Sequence, residues 1–168
     1  MLATTLKTNK LKVDKGFIPF PVDDGDEMYP NGFFIFNITK MAEYIQQNLD
    51  NIACEDVLVK DYSTGFSTFT EDHLATVDVS RPIILAEISP GRFNVIDGNH
   101  RTEQARRLGL EKIPGYKLGP CQHMQFLTTE KGYLAYIEYW NDKLKQVAKS
   151  TMAKVPTSGI CSAKAKKK

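Results

Sequence analysis

Apolar residues recur along this chain with two different periods, and the change from one to the other lays out the elements. Phe33-Phe34-Ile35-Phe36-Asn37-Ile38 follows the turn dipeptide Asn31-Gly32 and is rich in aromatic and β-branched residues, which predicts a strand. Beyond it Met41, Tyr44, Ile45 and Leu49 recur at helical spacing, which predicts a helix over residues 40–49 with Thr39 as N-cap. The signal weakens between 50 and 80, where Val57-Leu58-Val59 reads as a short strand, 63–68 as a polar loop and 71–74 as a turn. It sharpens at Pro82: the run to Ile88, apolar except for Glu87, predicts a buried strand. Ser89-Pro90-Gly91 then turns the chain into Phe93-Asn94-Val95-Ile96, so two strands form a hairpin.

Asp97-Gly98-Asn99 breaks the second of these strands, and a helix is expected over 100–108, closed by Gly109 as its C′ glycine, with Thr102, Ala105 and Leu108 facing inward. Residues 112–118 read as a short strand that Pro114, having no N–H to donate, assigns to an edge or end of the sheet. After Gly119-Pro120, the residues Tyr133, Leu134, Tyr136, Ile137, Trp140, Leu144 and Val147 make one amphipathic face over 132–149. Such an aromatic stripe is usually core, the alternative being a dimer or partner face. The expected fold class is therefore α/β in the α+β sense, a small mixed sheet with helices over 31–149. An extended, proline-containing arm (1–30) precedes it and a basic flexible tail (150–168) follows.

Composition bounds the function classes. A chain of 168 residues, 42% hydrophobic, supports one ordinary core. Its longest apolar runs fall far short of the ~20 residues of a membrane-spanning helix, and the first residues lack the apolar core of a secretory signal, so the expectation is a cytoplasmic protein with no membrane partner. Cys54, Cys121 and Cys161 are too widely spaced for a metal knuckle or redox pair and read as free thiols. Charge is uneven: residues 143–168 hold eight lysines and no acid, leaving 14 basic against 20 acidic side chains before them. DNA or another polyanion is a candidate partner for the lysine tail, and a solvated end is an equal alternative.

The turn at 97–101 carries the candidate chemistry. Gly98 lets the backbone approach a ligand closely, and the helix that follows presents unpaired N–H groups and a partial positive charge to an anion. Arg101 can grip two phosphate oxygens with its planar fork, and His100 exchanges a proton near neutral pH. Asp97, at the strand end, is placed to accept a proton or to bind a phosphate-associated Mg²⁺. Glu87 on the neighbouring strand is a second candidate carboxylate, provided that its pleat face opens toward the turn.

The succession Arg81-Pro82-Ile83-Ile84-Leu85, then Phe93 to Arg101 with Asp97-Gly98-Asn99-His100-Arg101 at its end, then Ala105, Gly109, Ile113-Pro114 and Tyr116, resembles the core of the ParB/sulfiredoxin superfamily over about forty residues. The resemblance implies a small α/β domain that binds ATP or a related nucleotide, its phosphates at Gly98, Asn99, His100 and Arg101. Where sulfiredoxins carry a catalytic cysteine this chain has Asn99, so sulfinic acid reduction is not expected. Chromosome-partition members carry Gly-Glu-Arg-Arg in the turn and continue into a helix-turn-helix domain; the roughly fifty residues after Leu118 do not suggest one. The turn is most similar to the Asp-Gly-His-His-Arg of free serine kinases, matched at Asp97, Gly98, His100 and Arg101. Stand-alone plasmid fertility-inhibition proteins of this fold, described as ATPases and DNases, are similar in size.

These readings combine into an expectation of Mg²⁺-assisted phosphoester chemistry, ATP hydrolysis with or without DNA nicking. Asp97, His100 and Glu87 are its catalytic candidates. A small-molecule kinase and a non-catalytic nucleotide-gated binding or inhibitory module, touching DNA or a protein partner, are the alternatives.

Overall fold

A computed structural model describes residues 9–62 and 68–153, with side chains placed to residue 150. The chain forms a hairpin of β1 (Met28–Asn31) and β2 (Phe34–Asn37), then helix α1 (Ile38–Gln47). Strand β3 (Cys54–Leu58) and a short helix α2 (Glu71–Ala75) follow. Next come β4 (Ile83–Ser89), β5 (Arg92–Asp97), α3 (Asn99–Arg107) and β6 (Lys112–Leu118). A short helix α4 (Pro120–His123) leads into the long α5 (Glu130–Ala153), so residues 150–153, expected in the tail, are helical. The class is mixed α+β, with two sheets among the described residues: the β1-β2 hairpin, and a four-stranded sheet of order β3-β6-β4-β5.

The β4 pattern explains the layering. Its alternate side chains point to opposite faces, Ile83 and Leu85 into a cluster with Val57, Val95, Ile113 and Ala105 of α3. Ile84, Ala86 and Ile88 enter a larger cluster with Phe36, Met41, Ile45, Phe126, Tyr136 and Trp140. Helices cover both faces, which is why successive residues of the strand are apolar from Ile83 to Ala86. The aromatic stripe of α5 is part of this core: Tyr133, Tyr136, Ile137 and Trp140 are buried, whereas Leu134 and Val147 of the same helix are exposed.

Three local expectations are corrected, and the arm gains anchors that were not foreseen. The N-cap of α1 is Asn37, whose Oδ1 accepts from the Lys40 N–H at 3.0 Å, while Thr39 Oγ1 accepts from the Glu27 N–H, and the helix starts two residues early. Leu108 is exposed, because α3 ends there and Gly109 turns away at φ 71°. β6 is an inner strand despite Pro114: its parallel ladder with β4 begins at Gly115, so Pro114 has a strand on one side only, β3. The arm is tied down. Asn141 exchanges two hydrogen bonds with the Leu11 backbone, the Tyr133 hydroxyl accepts from the Asp14 N–H, and Phe17 stacks on Tyr133 at 3.8 Å. Cys54 and Cys121 are exposed free thiols; Cys161 and residues 63–67 of the expected loop lie outside the described residues.

Candidate functional site

β5 does not run straight into its turn. Ile84 pairs with Asp97 and Leu85 with Val95, so Ile96 is an extra residue, a bulge. Val95 and Ile96 still enter opposite cores, and the extra residue sets Asp97, half-buried at the strand end, opposite Ile84. Gly98 follows in the left-handed region at φ 97°, ψ 25°, and caps α3; its carbonyl accepts from the Thr102 N–H at 2.9 Å and from Thr102 Oγ1 at 3.0 Å. The N–H groups of Asn99, His100 and Arg101 precede that first helical bond, and the first turn of α3 contains no acid.

Gly98 is needed for two reasons. A Cβ there would stand 2.5 Å from Ile83 Cγ2 and 2.9 Å from Arg101 Nε and Nη2. The Arg101 guanidinium thus lies directly over the glycine, folded back so that Nη2 reaches Asp97 Oδ2 at 2.7 Å. That ion pair uses one of five N–H donors. Nε is buried without a protein partner, a costly state for a charged group and one that an incoming acceptor would relieve.

Asp97, Arg101 and Arg81 meet along an open groove, about 800 Å³, whose far wall is the exposed side of α1 with Thr39, Glu43 and Gln47. Arg81 was not singled out as a site residue. It sits two positions before Ile83, the side chain that abuts Gly98, which brings it to the same end of the sheet. Asp78 beside it is held below the usual carboxylate range, mainly by hydrogen bonds from Ser80, with smaller help from Arg81 and Arg101.

Two predicted members are elsewhere. His100 does not line the groove; its ring makes edge contacts with Phe69 at 5.2 Å and with His73 at 4.6 Å. Glu87 lies three residues along β4 from Ile84, the partner of Asp97, about 10 Å away by strand rise. Its Oε1 accepts from the Gly91 N–H at 2.7 Å and holds the β4–β5 turn. Its backbone carbonyl accepts from Tyr136 and His123. Asn99, half-buried, keeps its place at the head of α3. The structure thus gathers Asp97, Gly98, Asn99 and Arg101, adds Arg81, turns His100 aside and removes Glu87.

Among the described residues no three metal-ligating side chains converge. Asp97 is the carboxylate at the turn itself, with Glu27 and Glu43 also lining the groove, and one or two carboxylates are the usual protein share where Mg²⁺ rides on nucleotide phosphates. No helix of the described residues is long and apolar enough to cross a membrane. Compared with known proteins, the chain matches no protein-family model and no curated protein sequence.

Proposed function

We propose that this protein is a ParB/sulfiredoxin-like domain that binds ATP or a related nucleotide at the β5–α3 turn and hydrolyses a phosphoester bond with Mg²⁺. The observation that carries the reading is the Arg101 guanidinium lying on Gly98 at the head of α3, with Nε buried and unpartnered and Arg81 alongside. Arg81 and Arg101 line one groove, and the free N–H groups at the head of α3 begin beside Gly98, on which the Arg101 guanidinium lies, the kinds of donor a phosphate requires. Phosphoryl transfer depends mainly on positioning and charge neutralisation, which Arg81, Arg101 and Mg²⁺ on Asp97 would supply. Asp97 is the carboxylate of this reading; Glu87 is withdrawn from it by distance and by its bond to Gly91.

A kinase reading of the same turn is favoured by one feature, the hydroxyl, carboxylate and amide groups of Thr39, Glu43 and Gln47 across the groove from Asp97, a polar bed for a small acceptor. Product analysis separates the two: free phosphate alone marks hydrolysis, a phosphorylated acceptor marks transfer. Thermal unfolding with ATP, ADP, CTP and GTP, with and without Mg²⁺, tests the binding itself. A ligand at a hundred times its Kd adds about 2.7 kcal/mol of apparent stability. Arg101→Ala abolishes the shift, and Asp97→Asn keeps the shift but loses Mg²⁺-dependent turnover. No shift with any nucleotide refutes the site, and full turnover in both variants refutes the assignment.

A further inference from the structure

Arg92 opens β5 and Asp97 closes it, so structure around Arg92 lies about 17 Å from the phosphate turn, at the other end of the sheet. There the β4–β5 turn and the C-terminal half of α5 flank an open groove of about 570 Å³, lined by Ser89, Pro90, Arg92, Lys143, Gln146 and Ser150 among others. The lining contains no carboxylate, and neither Arg92 nor Lys143 is in a salt bridge among the described residues. Lys145, by contrast, is neutralised by Asp142 at 2.9 Å. The groove also stands where the charge of the chain changes sign, since from Lys143 onward come eight lysines and no acid.

An exposed aromatic ring adjoins these cations. Tyr139, one helical turn before Lys143, is 37% exposed, and Lys143 Nζ lies 5.4 Å from its ring centroid. Phe33, next to the Phe34 that packs on Tyr139, is 69% exposed with Lys131 Nζ 5.9 Å from its ring. Lys143 Nζ lies over the Tyr139 ring, and an unpaired nucleotide offers a partner to each: the phosphate draws the ammonium away and the base stacks on the ring face it leaves. A duplex keeps its bases stacked on one another and gains nothing from Tyr139.

We propose that this groove binds single-stranded nucleic acid, its phosphates meeting Arg92 and Lys143 while a base stacks on Tyr139. The site is separate from the nucleotide turn and does not depend on the reading given to it.

Fluorescence anisotropy of the full chain with labelled mixed-sequence oligomers, single-stranded DNA, single-stranded RNA and duplex, across a salt series, tests this. Single strands bind tightest, with log K falling by about 0.7 per contacted phosphate for each unit of log salt. Arg92→Glu with Lys143→Glu weakens binding about tenfold or more and flattens that slope by about 1.4, with the melting temperature unchanged. Arg92→Gln with Lys143→Gln repeats the comparison if charge reversal unfolds the chain. Tyr139→Leu weakens single strands about tenfold and leaves the duplex unaffected. The proposal is overturned by no binding at low salt. It is equally overturned by duplex or phosphatidylserine vesicles bound as tightly as single strands, or by binding that survives removal of both cations and so belongs to the C-terminal lysines alone.

Discussion

Lowering the pH from 8 to 5 should cost this fold about 2 kcal/mol through one side chain, His123. The residue is fully buried between Phe36 and Tyr136, and its Nε2 lies 3.0 Å from the Glu87 carbonyl. A carbonyl only accepts, so Nε2 carries the proton and Nδ1 is the bare nitrogen, buried without a partner. Protonating Nδ1 would place a second N–H, and a full charge, where nothing receives them. Burial accordingly lowers the pKa from 6.5 to about 4, against a smaller opposing effect of the Glu87 hydrogen bond. The unfolded chain takes up the proton near 6.5 and the folded one only near 4, so U binds more protons in between and stability rises with pH across that window. It is fully present above about 6.5 and lost as pH falls toward 4, in total about 3 kcal/mol, of which about 2 kcal/mol has gone by pH 5. Asp26, Asp78 and Asp142, all lowered, withdraw their contributions only below the carboxylate range, outside this window. Urea unfolding of the wild type and of His123→Gln at pH 8, 7, 6 and 5 isolates the effect, because the amide of Gln can still donate to Glu87 but does not titrate. Parallel stability curves for the two proteins between pH 5 and 8 would show that His123 is not what couples them to protons.

Two further substitutions probe the frame around the site. Gly98→Ala adds a Cβ at positive φ and 2.5 Å from Ile83, and should destabilise the fold by about 2–4 kcal/mol in chemical unfolding while displacing Arg101 from Asp97. A loss under 1 kcal/mol would contradict the close packing at that turn. Asn37→Ala removes the α1 cap and the bonds that the Asn37 amide donates to Asp26 Oδ2 and the Pro21 carbonyl, all from a fully buried side chain. Unfolding should show a loss of about 2 kcal/mol, and a change indistinguishable from zero would mean that water replaces the cap freely.

What could be read in advance follows the range of the forces involved. β4 was legible because burial on both faces writes itself as consecutive apolar residues, here Ile83 to Ala86, and Gly98 and Gly109 because left-handed turns select glycine locally. Pro114 misled because the lost N–H matters only where a neighbour needs it, and whether β4 extends past Gly115 is a tertiary fact. Asn37 and Thr39 are equally good caps by type; the hydrogen bonds of Asn37 to Asp26 and Pro21 made the choice. Glu87 failed as a site residue for the same reason, since the partner it found was Gly91, four residues along the chain, at the wrong end of the strand.

The bulge at Ile96 is the feature with the greatest bearing on the candidate site and the least trace in the sequence. Val95-Ile96 reads as ordinary alternation and the two side chains do fill separate cores, yet the extra residue brings Asp97 opposite Ile84 where an unshifted register would bring Ile96. Asp97 and Arg101 thereby stand within one hydrogen bond of each other, and the pair has a consequence for order of binding. While Arg101 holds Oδ2, a divalent cation either takes Oδ1 alone against the repulsion of the guanidinium beside it or displaces that guanidinium, in both cases with little net gain. A phosphate arriving first draws the Arg101 fork onto its own oxygens and frees Asp97 beside a fresh set of anionic ligands. On the proposed reading, then, Mg²⁺ follows the nucleotide. Calorimetric titration of Mg²⁺ should give no heat with the free protein and saturable heat with the nucleotide-bound one after subtraction of Mg²⁺ binding to nucleotide alone. Saturable Mg²⁺ binding to the free protein that Asp97→Asn abolishes would reverse that order and remove the role given to Arg101.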